Sequence, residues 1–333
     1  MPRTAAAALA VLLVAACTGE DDAAPPPSRT VLATVDLDAA VGTDVVPRDL
    51  APGPDGAPVA LVGDADRSWL VDLGTGVATA VPAVEPDSRL VVADDGTPLV
   101  VGTALTRAGG AVLPLPLGGP PADVLLDGDT LVLARDTRLA AVDVRTGAVR
   151  ATAVAPAPVT HLAGAPDGGL AALVDHPNGV VLLRLTADLR PDGRSVAVVP
   201  ERVSTPAGLQ VTADGTAVAT AYVGEALDAG RLVTVVDGAV RTVVDLVGTD
   251  DTALDLAVDP PGRVAHLVLS AAYHPAELTA VDLATGERTR VVGLCDGAGA
   301  FGAITSSADG ETVTVVGSCI DADDLRTTAF VIG

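Results

Sequence analysis

Seven Asp-Gly steps or close variants punctuate this chain, and no other feature limits its fold as strongly. Gly56, Gly96, Gly128, Gly168, Gly215, Gly262 and Gly310 lie 40, 32, 40, 47, 47 and 48 residues apart. Six of them follow an aspartate directly, and Gly262 ends Asp259-Pro260-Pro261-Gly262. A short run of Val, Leu and Ala stands on each side. Units of this length, built as strand, tight turn, strand, have the period of a propeller blade. A second motif follows in several units: Val71-Asp72-Leu73-Gly74-Thr75-Gly76, Val142-Asp143-Val144-Arg145-Thr146-Gly147 and Val281-Asp282-Leu283-Ala284-Thr285-Gly286. Both motifs read as hairpin connections between alternating strands. Each unit is thus expected to hold four strands, A to D. In residues 159–203 the predicted strands are 161–165, 169–174, 180–186 and 195–199, with Pro166-Asp167-Gly168 as the A–B turn.

Composition agrees with an all-β chain. Apolar residues make up 49% of the sequence but aromatics only 2%, so the core must come from Val, Leu and Ala, and Val-rich runs favour strands. The stretch of about 300 residues after the N-terminus is long enough for a large core in one domain or two. Net charge is −23, and all 20 basic residues are Arg. Such a surface repels nucleic acid and anionic lipid head groups, which are bound by neutralising cations. Neither is an expected partner.

The repeat resembles the WD40-like and YVTN-type bacterial β-propellers over about residues 31–333, and the VDLATGE stretch at 281–287 is the best single match. The WD dipeptide is absent. Quinoprotein dehydrogenase propellers have similar blades but use tryptophan docking motifs, and this chain has one Trp, Trp69. Seven glycines predict a seven-bladed β-propeller of four-stranded antiparallel blades, with six or eight blades or two stacked β domains as alternatives. After Gly310 only two strand-like runs remain, 312–317 and 327–332, so the last blade is one strand short. Val31 to Asp38 alternates well and is expected to supply that strand. Ring closure by an N-terminal strand removes the exposed edge of an open array.

The N-terminus reads separately. Met1-Pro2-Arg3 is followed by an unbroken Ala, Leu and Val run from Ala5 to Ala16, the plan of a signal peptide. About a dozen residues is too short for a spanning helix, which needs roughly 20. Val14-Ala15-Ala16-Cys17 resembles the lipobox of bacterial lipoproteins. That resemblance implies lipidation of Cys17 and a stable membrane anchor, since each buried methylene contributes about 0.8 kcal/mol. A non-lipidated signal peptide is the alternative. Residues 1–16 are therefore expected to be a signal peptide, 17–29 a lipidated cysteine with an acidic, Pro-rich spacer, and 30–333 an extracytoplasmic domain, a monomeric propeller.

Exported chains meet oxidising conditions, so the remaining cysteines, Cys295 and Cys319, are expected to form a disulfide. In the blade scheme both fall at one end of the last blade. Closing about 25 residues contributes about 3 kcal/mol in the chain-entropy picture.

Aligning the units on their glycines places Asp49, Arg89, Asp123, His161, Gly208, Asp255 and Ala303 at one position, just before the first apolar residue of strand A. Asp123 needs an A–B turn two residues shorter. Strand A lines a propeller's channel, so an ionisable ring at one mouth is expected. Asp49, Asp123, Asp255 and His161 are candidates for holding a hard cation or polar ligand, with three carboxylates converging on the axis. The bland reading is that a wet channel mouth is simply polar. At the same end the B–C connections would gather His176, Tyr222, Tyr273 and His274 among many carboxylates, a composition suited to protein recognition. Solvated loops are the alternative.

No G-x-S-x-G, H-E-x-x-H or G-x-x-x-x-G-K-[ST] occurs, and the Asp-x-Asp stretches lack the EF-hand glycine and glutamate. No catalytic residue, cofactor or metal is assigned. The sequence thus points to a membrane-tethered propeller that binds or scaffolds another envelope protein. The rival is a small-ligand or metal-binding sensor or enzyme that uses the channel mouth.

Overall fold

The computed structural model describes residues 29–333 apart from 54–56, 83, 108–111, 194, 226–228, 247–254, 270–274 and 322–323. Blade 1 comprises Val46–Ala51, Val59–Gly63, Ser68–Asp72 and Val77–Val81 as strands A to D. Blade 2 comprises Arg89–Val92, Pro98–Val101, Ala104–Arg107 and Val112–Pro114. Blade 3 follows with Asp123–Asp127, Thr130–Arg135, Arg138–Asp143 and Val149–Val154. Blade 4 has Val159–Gly164, Leu170–His176, Gly179–Leu185 and Val196–Val199, within two residues of the predicted strand starts and ends. Blade 5 has Ser204–Val211, Ala217–Val223, Ala229–Val236 and Ala239–Leu246. Each of these five is a four-stranded antiparallel sheet with its strands in chain order.

The last two blades share a strand. Leu256–Val258, Val264–Leu269 and Pro275–Asp282 are strands A to C of blade 6, and the 19-residue strand Arg288–Ser306 follows. Its first part pairs with strand C of blade 6, from Arg288 to Gly293. Its second part, from Ala298 to Ser306, pairs with Val313–Asp321 and so serves as strand A of blade 7. Asp324–Ile332 is strand C of blade 7, and Val31–Asp36 pairs antiparallel with it as strand D. The chain therefore closes into a seven-bladed ring through its N-terminal strand. The closing strand ends at Asp36, two residues earlier than expected. Asp36 accepts a hydrogen bond from Ala39 N at 2.9 Å and caps a short helix, Leu37–Val41. That helix carries the chain inward from the outermost strand of blade 7 to the innermost strand of blade 1.

Both recurrent motifs have a physical basis. Gly168, the example A–B turn, has φ 78°, which a residue with a Cβ adopts only at a cost. In the C–D hairpins Asp72, Asp143 and Asp282 each accept two backbone N–H bonds from the residues two and three ahead. The aspartate thus mimics a backbone turn, and the Thr and Gly that follow complete the hairpin.

Buried apolar side chains fall into seven clusters, one at each junction between neighbouring blades. Ala, Val and Leu fill most of them, as the shortage of aromatics requires. The large rings gather around the closing blade: Phe301 and Phe330 pack at 6.0 Å between blades 6 and 7, and Trp69 sits between blades 7 and 1. Cys295 and Cys319 form a disulfide. Cys319 lies inside strand B of blade 7, slightly earlier in that blade than the sequence suggested, and it is buried.

Blade 7 is therefore where the ring is most exposed to perturbation. Leu37→Ala, at a fully buried site in the closing cluster, is expected to cost about 2–5 kcal/mol in denaturant unfolding. Deleting residues 30–40 is expected to abolish cooperative melting, and an unchanged melting curve would refute the closure.

Candidate functional site

Seven A strands surround a central channel, and each contributes to the wall of a cavity of about 560 Å³. Asp49, Arg89, Asp123, His161 and Asp255 all line it, so the predicted ring residues do share one level of the channel. This level lies near the end where the A strands begin and the B–C turns emerge, here called the B–C face.

The backbone explains why these residues align. In blades 1, 4, 5 and 7 one extra residue bulges from strand A just before the ring position: Arg48, Thr160, Ala207 and Gly302. Asp49, His161, Gly208 and Ala303 resume the ladder opposite Leu61, Leu173, Thr220 and Val316. Bulges turn a strand and re-aim its side chains. In blades 2 and 3 strand A simply starts at Arg89 and Asp123, and in blade 6 it starts just after Asp255. The turn after Asp123 is shortened, with Asp127 paired directly to Thr130.

The ring side chains are directed along the circumference, into the next blade. Asp49 accepts from Leu90 N of blade 2 at 2.6 Å. Arg89 donates through Nε and Nη2 to the Ala122 carbonyl, before blade 3, at 3.1 and 2.7 Å. Asp123 accepts from Leu162 N of blade 4 at 2.6 Å. The His161 imidazole faces the Ala207 carbonyl of blade 5, which favours its charged form, while its Nδ1 lies 3.1 Å from Thr160 Oγ1. Asp255 accepts from Ile304 N of blade 7 at 3.3 Å. Acids thus take the N–H just after the neighbouring ring position, and bases take the C=O just before it.

Two junctions lack an ionisable ring residue and are stitched otherwise. Gly208 has no side chain, but two residues on Gln210 Oε1 accepts from Val258 N of blade 6 at 2.7 Å. At the junction of blades 7 and 1, Asp38 accepts from Val45 N and from Thr327 N, both at 2.8 Å, and Thr327 Oγ1 donates to the Val45 carbonyl at 2.6 Å. Sequence reading missed both residues. Gln210 is the chain's lone Gln, and Asp38 looked like the end of a strand.

The expectation that three carboxylates converge on the axis is corrected. Among the described residues no three His, Cys, Asp or Glu side chains stand close enough to share a metal ion. The seven-fold ring spaces the acids apart, and each is held against its neighbouring blade.

Removal from bulk water has electrostatic consequences. Burial pushes the Asp255 carboxyl up to about 7, and the Asp49 and Asp123 charges add to the shift. Burial also raises Asp123 to about 6, although Arg89 opposes it, and raises Asp49 despite Arg89. Burial, with Arg89 beside it, holds His161 down to about 4. Burial likewise lowers His266, in strand B of blade 6, to about 4.

The rim candidates separate. His176 is half-buried at the B–C turn of blade 4, whereas Tyr222 lies within strand B of blade 5, packed on the core between blades 5 and 6. Tyr273 and His274 lie outside the described residues, as does Cys17.

No family model matches this chain, and no curated protein does. Among solved structures it is similar to hydrazine synthase of Kuenenia stuttgartiensis, with a TM-score of 0.63 and 14% identity. The match covers 86% of this chain and 96% of that one. A likeness at this identity is one of fold.

If the ring acids act as stitches, acceptor capacity matters more than charge. Asp123→Ala is expected to be about 1–3 kcal/mol less stable than Asp123→Asn, which keeps an acceptor for Leu162 N. Equal stabilities would argue against the stitch. The pH dependence has a definite sign. A carboxyl whose folded pKa is raised is protonated in the folded chain while still ionised in the unfolded one, so stability grows as pH falls through about 7 and is lost as pH rises. The two histidines, lowered to about 4, work the other way below their unfolded value and offset the carboxyls there. Melting temperature is therefore expected to climb from about pH 8 to about pH 6.5 and then level off. Asp255→Asn should remove most of the climb, and a parallel profile in that variant would contradict the assignment.

Proposed function

We propose that this chain is a membrane-tethered, extracytoplasmic propeller that docks another protein of the cell envelope on its B–C face. The observation that carries the reading is where the N-terminal segment joins the domain. Arg29 donates to the carbonyls of Glu311 at 2.9 Å and Gly310 at 2.8 Å, in the A–B turn of blade 7. Thr30 and Gly333 exchange two backbone bonds beside it. The preceding residues, with Cys17 twelve positions before Arg29, therefore join the domain at the face opposite the B–C turns. A domain held from that side presents its B–C turns outward, where loops on a rigid scaffold serve recognition.

The rival reading, a small ligand or metal in the channel mouth, draws support from the cavity of about 560 Å³ and its charged wall. It asks the ring acids to bind a ligand while they hold adjacent blades together. For that reason the docking role is preferred.

Cys17→Ala is expected to move the protein from the membrane fraction into the soluble one. Retention in the membrane would indicate an uncleaved helix instead of a lipid anchor. For the docking role, mild cross-linking and pull-down of the full chain is expected to yield a specific partner that is lost on truncating the B–C turns.

A further inference from the structure

We infer that the strand which closes the ring is also a mechanical clamp, mounted so that tension between the tether and the B–C face loads it in shear. This rests on the proposed tether and docking face for the direction of the force, whereas the clamp itself stands on the fold alone.

The clamp follows from connectivity. In blades 1 to 5 strand D comes directly after strand C along the chain. Val31–Asp36 is instead held to Asp324–Ile332 by noncovalent contacts only, and the segment that leads to Cys17 departs from its first residue. Tension on that segment therefore reaches the closing strand before any blade that the chain builds by hairpins. Burial gives this strand little resistance, since Val31 to Thr34 and Asp36 are exposed and Val35 is half-buried. Its direction gives more. It runs from the A–B face, where Val31 pairs with Ile332, to the B–C face, where Asp36 pairs with Thr328. Hydrogen bonds of an antiparallel ladder lie across the strands, so a pull along the strand strains all of them together. Parting the neighbouring residues Thr30 and Gly333, which exchange two backbone bonds, instead opens the ladder one pair at a time.

Both ends of the strand are pinned. At the A–B end Arg29 grips the Gly310 and Glu311 carbonyls. At the B–C end, sliding toward the tether would draw Leu37 out of its fully buried site between blades 7 and 1. It would also pull Asp38 away from Val45 N and Thr327 N. Leu37 and Asp38 stand just behind the strand in the direction from which it would slide, so they act as a stop. The rest of the sheet is firmer, because Val313–Asp321 is paired on both edges and its Cys319 is bonded to Cys295. The outermost strand and its pins thus set the force at which the joint between tether and domain gives.

The test is single-molecule force spectroscopy on the full-length chain with its disulfide intact, using handles on azide-bearing residues. Handles at positions 28 and 320 load the closing strand in shear, and handles at positions 28 and 333 peel it. At one loading rate the first pair is expected to open at a force at least about twofold higher, because its bonds break together and not in succession. Asp38→Ala is expected to lower the 28–320 force and leave the onset of 28–333 opening unchanged, since peeling starts at the opposite end. Arg29→Ala is expected to lower that onset. Equal forces in the two geometries, or a higher force for 28–333, would overturn the clamp. So would a 28–320 force unchanged in both Asp38→Ala and Leu37→Ala, or an equal loss in both geometries on Asp38→Ala. No partner takes part in this measurement, so each of these results leaves the docking role to be decided by cross-linking.

Discussion

Everything in this fold depends on closing a ring. A blade buries both of its faces, so seven blades need seven junctions, and a chain that runs from one end to the other makes only six of them by sequence neighbourhood. The seventh is made by pairing Val31–Asp36 with Asp324–Ile332, which ties two segments about 300 residues apart in sequence. Loop-closure entropy rises slowly with length, so the separation itself costs little more than a shorter closure would. What must be strong is the local contact. Accordingly the paired Phe301 and Phe330, the Cys295–Cys319 bond, buried Leu37 and the Asp38 clasp all cluster in or beside blade 7. Trp69, the one tryptophan, lies at the junction of blades 7 and 1 that connectivity does not enforce, whereas Phe301 and Phe330 brace blade 7 from its blade 6 side.

The channel ring carries the same constraint inward. Strand A is the innermost strand, and where a bulge interrupts it the local ladder is disturbed. A side chain reaching to the backbone of the next blade gives that blade's inner edge an added partner. Carboxylates accept and the guanidinium and imidazole donate, and the chain supplies each at the position that matches its chemistry. The raised Asp123 and Asp255 reflect burial, which favours the neutral carboxyl even at Asp123, where Arg89 opposes it. A protonated carboxyl retains an acceptor oxygen, so the stitch survives neutralisation.

Much of this was legible in the sequence. The Asp-Gly turns and the Asp-x-x-Thr-Gly hairpins are local devices, each set by a backbone conformation or a side-chain-to-backbone bond within a few residues. The alignment of Asp49, Arg89, Asp123, His161 and Asp255 was legible because each precedes the first apolar residue of its strand. Their partners were not, because those partners are main-chain groups about 40 residues away that carry no side-chain signature. The bulges at Arg48, Thr160, Ala207 and Gly302 left no motif either, since an extra residue inside a short strand only shifts its alternation. The shared strand of blades 6 and 7 was hidden by its glycines, which suggest a break where the backbone in fact runs on from Arg288 to Ser306. Asp36 and Asp38 continue the alternation of the closing strand, and only the need to turn inward makes them a helix cap and a clasp.

These features together separate what the two ends of the propeller can do. The A–B face receives both termini of the domain, and its turns are occupied by aspartates that satisfy their own backbone. The channel level nearest the B–C face is committed to holding blades together. The outer part of the B–C face is under neither demand, and there the hairpin of blade 7 leaves the paired Ile320 and Leu325 exposed. An exposed aliphatic cross-strand pair adds only about 0.2–1 kcal/mol to a sheet. Folding alone thus gives weak reason to expose that pair.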